Sequence, residues 1–228
     1  MNTKYSLKRS KKRKKTISLQ IGGNSDITVY APYFTPVAEI NRFVEEKRNW
    51  IDRILLKQAR QPAQNKEKTY ETGEEFYYLG RSYFLETGFD PLENTGVFFR
   101  FDRFVLNCPD NGEMKKYYFA SWYQKKAREH IPVRVEHFSR ELNLQPRSIR
   151  ITSARSRWGS CSEDNSLAFS FRLMMAPPQV IDYVVVHELM HIREKNHSSK
   201  FWRLVIETMP DSMAHRRWLR EHQDMFKL

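Results

Sequence analysis

The sequence predicts a mixed α+β fold on three observations. Aromatic-rich runs broken by glycine and aspartate between residues 74 and 108 read as strands. Apolar residues recurring at threes and fours over 37–59 and 118–142 read as amphipathic helices. Pro177-Pro178 then opens a further helix, where a missing N–H costs least. With 228 residues, 40% hydrophobic and 14% aromatic, the chain has bulk for a core, which excludes collagen-like, mucin-like and wholly disordered classes. Two cysteines, Cys108 and Cys161, cannot make a disulfide framework and fit a reducing compartment. No apolar run approaches the roughly 18 residues of a membrane span, and the basic start lacks the apolar stretch of a signal peptide. The expectation is a cytoplasmic protein with no membrane partner.

Taken in order, residues 1–15 read as a basic tail, and 16–110 as a β-rich N-terminal lobe with one helix. Within the lobe, Lys14–Gln20 and Asp26–Ala31 are short β segments split by the turn Gly22-Gly23-Asn24-Ser25. A helix follows from Pro36 to about Ala59, and the polar stretch Gln61–Thr72 is a loop. A β-meander then runs through Phe76–Leu79, Ser82–Glu86, Gly96–Phe101 and Arg103–Cys108. Pro109-Asp110-Asn111-Gly112 marks the boundary to a second domain, 111–228. That domain opens on a long helix with Tyr118–Phe119, Trp122–Tyr123, Ala127, Ile131, Val135, Phe138 and Leu142 on one stripe. Pro132 is expected to kink or split it at a cost of roughly 3 kcal/mol. Ile149–Ser153 and Leu167–Leu173 read as strands joined across Arg155–Ser166, and Asp211–Asp224 as a last helix.

The net charge of +12 is concentrated. Residues 1–15 hold eight basic residues and no acid, and residues 115–157 hold eleven against Glu129, Glu136 and Glu141. Such clustering is the footprint of an anionic partner, so nucleic acid is expected to be met through the tail and residues 115–157. Solubility alone is the plainer explanation of the same charges.

The chemistry lies in His187-Glu188-Leu189-Met190-His191. Positions four apart share a helix face, so both imidazoles can point at one ion, while Glu188 sits about 100° round the helix, placed to take a proton from water. The β-branched run Val184-Val185-Val186 needs burial to stay helical. A catalytic zinc usually takes three protein ligands and leaves one position open. His197 is the favoured third ligand, with Glu207 as its rival. In the HExxHxxGxxH arrangement a glycine makes the turn that returns the third histidine; Glu194 stands there in this chain, and Asn196 is expected to take the left-handed conformation instead. His130, His137, His215 and His222 are assigned to surface or core, and Cys161 to an inert thiol.

Three further segments, Arg157-Trp158-Gly159-Ser160-Cys161-Ser162, Ala176-Pro177-Pro178 through His187-Glu188, and Asn196-His197-Ser198-Ser199-Lys200-Phe201-Trp202, make the chain resemble the YgjP-like metallopeptidase family over roughly residues 9–225. That family is similar to SprT-like proteases, which carry an RWG segment ahead of the HExxH helix. The resemblance implies a zincin-like core after residue 112, zinc held by His187, His191 and His197, and Glu188 as catalytic acid/base. A protein or peptide substrate is then expected, with action near DNA suggested by analogy. A metal-dependent UTP pyrophosphatase and a non-catalytic zinc-containing nucleic-acid-binding module are the alternatives. From the residues themselves, Trp158 is expected to pack against the metal helix, Gly159 to permit close backbone approach, and Phe201-Trp202 to be core. Arg155 and Arg157 either support that packing or face the cleft and hold an anionic group.

Overall fold

The computed structural model describes residues 4–11, 13–22, 26–60 and 68–228. The chain divides into two compact units between residues 66 and 67. Residues 23–25 of the expected glycine turn, Lys12 of the tail and 61–67 of the expected loop lie outside the described residues.

The first unit is a three-stranded sheet with two helices. Strand β1 (Ser6–Ser10) pairs parallel with β3 (Ile27–Pro32), which also pairs antiparallel with β2 (Ser18–Ile21). β3 alternates buried and half-buried positions, so Ile27, Val29 and Ala31 face a core completed by Ile40 and Val44 of α1 (Val37–Glu46) and Ile51 of α2 (Arg48–Arg60). Two expectations change here. The basic tail contains a strand, because Leu7 packs against the core while Lys8 and Arg9 stay nearer solvent. The single helix is two, broken at Lys47. Arg9 is spent locally, its guanidinium donating to the carbonyls of Tyr33 at 2.5 Å and Thr35 at 2.8 Å.

The second unit contains everything from the aromatic strands to the C-terminus. Strands β4 (Glu75–Tyr78), β5 (Arg81–Gly88), β6 (Gly96–Arg100) and β7 (Arg103–Asn107) form one sheet in the order β4-β5-β7-β6. This is not a simple meander, because β5 pairs parallel with β7. The boundary expected at residue 110 is likewise not where the chain divides. The stripe of α3 (Gly112–Leu142) packs directly on the sheet, with Phe76 and Phe119 stacked at 4.1 Å and Phe104 edge-on to Trp122 at 5.0 Å. One core therefore runs from Tyr70, inside the expected loop, to Phe226. α3 continues through Pro132 without splitting, with Ile131 and Val135 buried on either side. It starts where Asn111 accepts from the Met114 N–H and stops at a left-handed Asn143.

Behind α3 lies a second sheet, β8 (Ser148–Thr152), β9 (Gly159–Cys161) and β10 (Ser166–Ser170), with β10 central. β8 and β10 pair parallel; the hairpin is β9–β10, closed by the turn over Ser162–Ser166. β9 is thus an edge strand, and it lies against α4 (Pro178–Arg193). α4 is buried almost all round, which holds its β-branched run helical, and is packed by α5 (Ser199–Thr208) and α6 (Ser212–Glu221). The β4–β5 turn docks onto the segment just before α4. Leu79 and Gly80 have φ of 48° and 82°, and their N–H groups donate to the carbonyls of Met174 and Met175 at 2.8 and 3.1 Å.

Candidate metal centre

α4 carries His187 and His191 one turn apart and ends at Glu194, whose backbone is extended. The return of His197 differs from expectation. Asn196 does not take the left-handed conformation; the Ser198 N–H donates to the Asn196 carbonyl at 2.8 Å, a three-residue turn centred on His197. Ser198 then caps α5 by accepting from the Phe201 N–H at 3.3 Å. A turn of minimum length followed at once by a capped helix brings the third imidazole back without glycine.

The three Nε2 atoms converge. His197 Nε2 lies 3.0 Å from His187 Nε2 and 3.2 Å from His191 Nε2. Among the described residues these three form the cluster of potential metal ligands, and Glu207 is not in it. The His191 Nδ1 lies 3.0 Å from the Glu194 carbonyl oxygen. A carbonyl can only accept, so Nδ1 carries the proton and Nε2 presents a lone pair to the cluster. Three imidazole nitrogens this close, with the lone pair of His191 turned inward, can share one cation. Nitrogen ligands at about 2.0–2.1 Å from a tetrahedral ion would be about 3.3 Å apart, so the spacing fits a metal ion. Burial pushes the His187 imidazole down to about 3, helped by the charges of His191, His197 and Arg216, and burial pushes His191 down as well. Both rings are therefore neutral at pH 7, the state a ligand needs. Phe201 and Trp202 support the rings: His191 stacks on Phe201 at 4.4 Å, and His197 on Trp202 at 5.7 Å. Phe201 is fully buried and Trp202 half-buried, close to the expected core role.

Glu188 is 5% exposed, and burial pushes its carboxyl up to about 8. The backbone of β9 runs directly across it: a Cβ on Gly159 would meet Glu188 Cγ and Oε1 at 2.5 Å. The glycine of the RWG segment thus leaves room for this carboxyl. Trp158 packs on Phe226 at 4.1 Å and lines, with Gly159, Tyr183, His187 and Glu188, a cleft of about 320 Å³. Arg157 faces this cleft, as one of the two expected roles had it. Arg155 does not line it; it neighbours the buried Arg172. Sequence reading missed Tyr183, Arg216 and Arg220 as cleft residues. Spacing held a signal, since Tyr183 is four residues before His187 and Arg216 four before Arg220. Cys161, in β9 rather than in a loop, has its thiol pushed up by burial despite Lys195 Nζ at 3.5 Å.

Five of the eleven basic residues of the second block are in ion pairs. Lys115, Lys126, Arg134, Arg140 and Arg147 each pair with a carboxylate, with Arg134 held bidentately by Asp182 at 2.6 and 2.9 Å. No helix among the described residues is long and apolar enough to cross a membrane.

A helix-borne histidine pair, a returning third imidazole and a buried carboxyl between them are the parts with which metal-dependent hydrolases are built. The family comparison is more specific. The chain belongs to the YgjP-like metallopeptidase family, whose metallopeptidase domain matches residues 15–222. One solved structure similar to it is the metallopeptidase zymogen of Pyrococcus abyssi abylysin, 22% identical, with a TM-score of 0.37, covering 41% of this chain and 95% of that one. No curated protein matches the chain.

Proposed function

We propose that the chain is a zinc-dependent peptidase in which His187, His191 and His197 hold the ion and Glu188 is the catalytic acid/base. The observation that carries this reading is the convergence of three Nε2 atoms at 3.0 and 3.2 Å beside a buried carboxyl. Imidazole nitrogens backed by the rings of Phe201 and Trp202 favour zinc over harder ions, which prefer oxygen ligands. Bound there, zinc would supply Lewis acidity toward water and toward the scissile carbonyl.

The protein's own groups do the rest. Glu188, whose ionised form a cation bound to the three histidines would favour, accepts a proton from the attacking water on a carboxylate oxygen and passes it to the leaving amine nitrogen. Gly159 lets that carboxyl stay where it is, and β9, an edge strand, offers unpaired backbone groups along which an extended peptide can add. The unpaired part of the basic charge suits a polyanion near the substrate, and the absence of a disulfide framework suits the cytoplasm, but neither carries the reading.

The test compares metal content and proteolysis of an unfolded protein. His187→Ala and His191→Ala should each lose the equimolar zinc bound by the wild type, whereas Glu188→Gln should keep it and lose cleavage by at least about 10²-fold, the usual contribution of a general base. Full zinc in both histidine variants, or undiminished cleavage by Glu188→Gln, would overturn the assignment. Glu188-dependent release of pyrophosphate from UTP without proteolysis would assign the chain to nucleotide hydrolysis.

A further inference from the structure

The cleft beside Glu188 has a charge asymmetry that peptide hydrolysis does not require. Arg157 from the β8–β9 connection and Arg216 and Arg220 from one face of α6 line it, together with Gln223. Glu188 is the acid among the lining residues. Four of the thirteen other arginines in this unit are matched to carboxylates: Arg134 to Asp182, Arg140 to Glu136, Arg147 to Asp164, Arg103 to Glu86. Among the described residues, none of the three cleft arginines has a carboxylate within salt-bridge distance. Arg216 is nonetheless held in place, its guanidinium 4.5 Å from the centre of the Trp202 ring, the same ring on which His197 stacks. A planar cation fixed over an aromatic face keeps its N–H edges free for a carboxylate.

We propose that Arg157, Arg216 and Arg220 form a subsite for a substrate carboxylate next to the scissile bond, so that the enzyme selects peptides carrying either an acidic side chain or the free C-terminus at that position. This rests on the peptidase reading above. Guanidinium–carboxylate pairs are short and directional, and two or more converging in a partly enclosed cleft bind a carboxylate far better than its neutral isostere. The same three charges would repel a basic residue from that position, so the subsite discriminates as well as attracts.

The experiment uses the full chain, zinc-loaded, carrying Glu188→Gln so that peptides bind without turnover. Titration calorimetry compares two matched pairs: a peptide with a free C-terminus against its amide, and an amidated peptide with an internal Glu against the same peptide with Gln. One member of one pair should bind at least tenfold tighter than its partner, and the pair that shows the difference identifies the source of the carboxylate. The added changes Arg216→Gln, Arg157→Gln and Arg220→Gln, each at an exposed position, should collapse that ratio towards one. Raising salt should weaken the preference in the parent protein. Equal binding within both pairs, a preference that survives all three substitutions, or a nucleoside triphosphate that displaces every peptide would overturn the proposal. Cleavage of the peptides by the wild type is read separately: if none is cut, the peptidase reading falls, while the binding ratios still decide whether the subsite takes a carboxylate.

Discussion

Replacing Gly159 with alanine tests the closest approach in the site. The new Cβ would lie 2.5 Å from Glu188 Cγ and Oε1 and 2.8 Å from Cδ. Carbon atoms rest at about 3.5–4.0 Å, so the carboxyl has to retreat by about 1 Å or β9 has to lift from α4. Overpacking of this kind costs about 1–3 kcal/mol. In a unit of this size each kcal/mol moves Tm by about 2–4 °C, so Gly159→Ala should lower it by about 2–12 °C. A double-mutant cycle isolates the cause. In a Glu188→Ala background the clash is gone, and Gly159→Ala should leave Tm nearly unchanged, giving a coupling of about 1–3 kcal/mol. Catalysis gives an independent reading: with zinc retained, kcat on an unfolded protein should fall about 10²-fold, the usual cost of a 1 Å misplacement. An equal loss of Tm in both backgrounds would show that the alanine disturbs β9 for another reason and would refute the packing argument.

Further outcomes follow from other contacts. Gly80→Ala combines a φ of 82° with a Cβ 2.7 Å from Pro177 Cγ and 2.8 Å from its Cα, so denaturant unfolding should show a loss of at least about 2 kcal/mol. The metal-free protein should respond to pH through Glu188, whose carboxyl is raised to about 8 in the fold. Between roughly pH 4.5 and 8 the unfolded chain ionises this group and the folded one does not, so stability falls as pH rises. Glu188→Gln should therefore grow more stable relative to the parent across that window, by at most about 1.4 kcal/mol per pH unit. His187 acts oppositely: lowered to about 3, it contributes stability that is present above about pH 6.5 and lost as pH falls toward 3, and a metal-free His187→Phe variant should lack that acid slope. The thiols of Cys108 and Cys161 are both pushed up by burial, so iodoacetamide at pH 7 should modify neither in the folded protein at the rate of a free thiol; rapid labelling of Cys161 would contradict its packing in β9.

Much of this protein is determined within a few turns of chain. His187 and His191 share a face because four residues make about one helical turn, and the stripe on α3 matches its buried face because the same period governs both. Turns also announce themselves locally, as Asn111 does at the start of α3 and Ser162–Ser166 between β9 and β10. What lay beyond local reading depends on packing between residues far apart in sequence. The strand inside the basic start exists because β3 offers it a parallel partner. The chain does not divide at residue 110, because Phe76 stacks on Phe119 of α3 and Phe104 meets Trp122 edge-on. His197 rather than Glu207 joins the cluster because a three-residue turn and a capped helix aim it there. Gly159 meets Glu188 from β9, a different element, and α6 brings Arg216 and Arg220 to the same cleft as Arg157, which lies 59 residues before Arg216. Periodicity tells a residue which way it faces on its own element; only the assembled core determines what stands opposite.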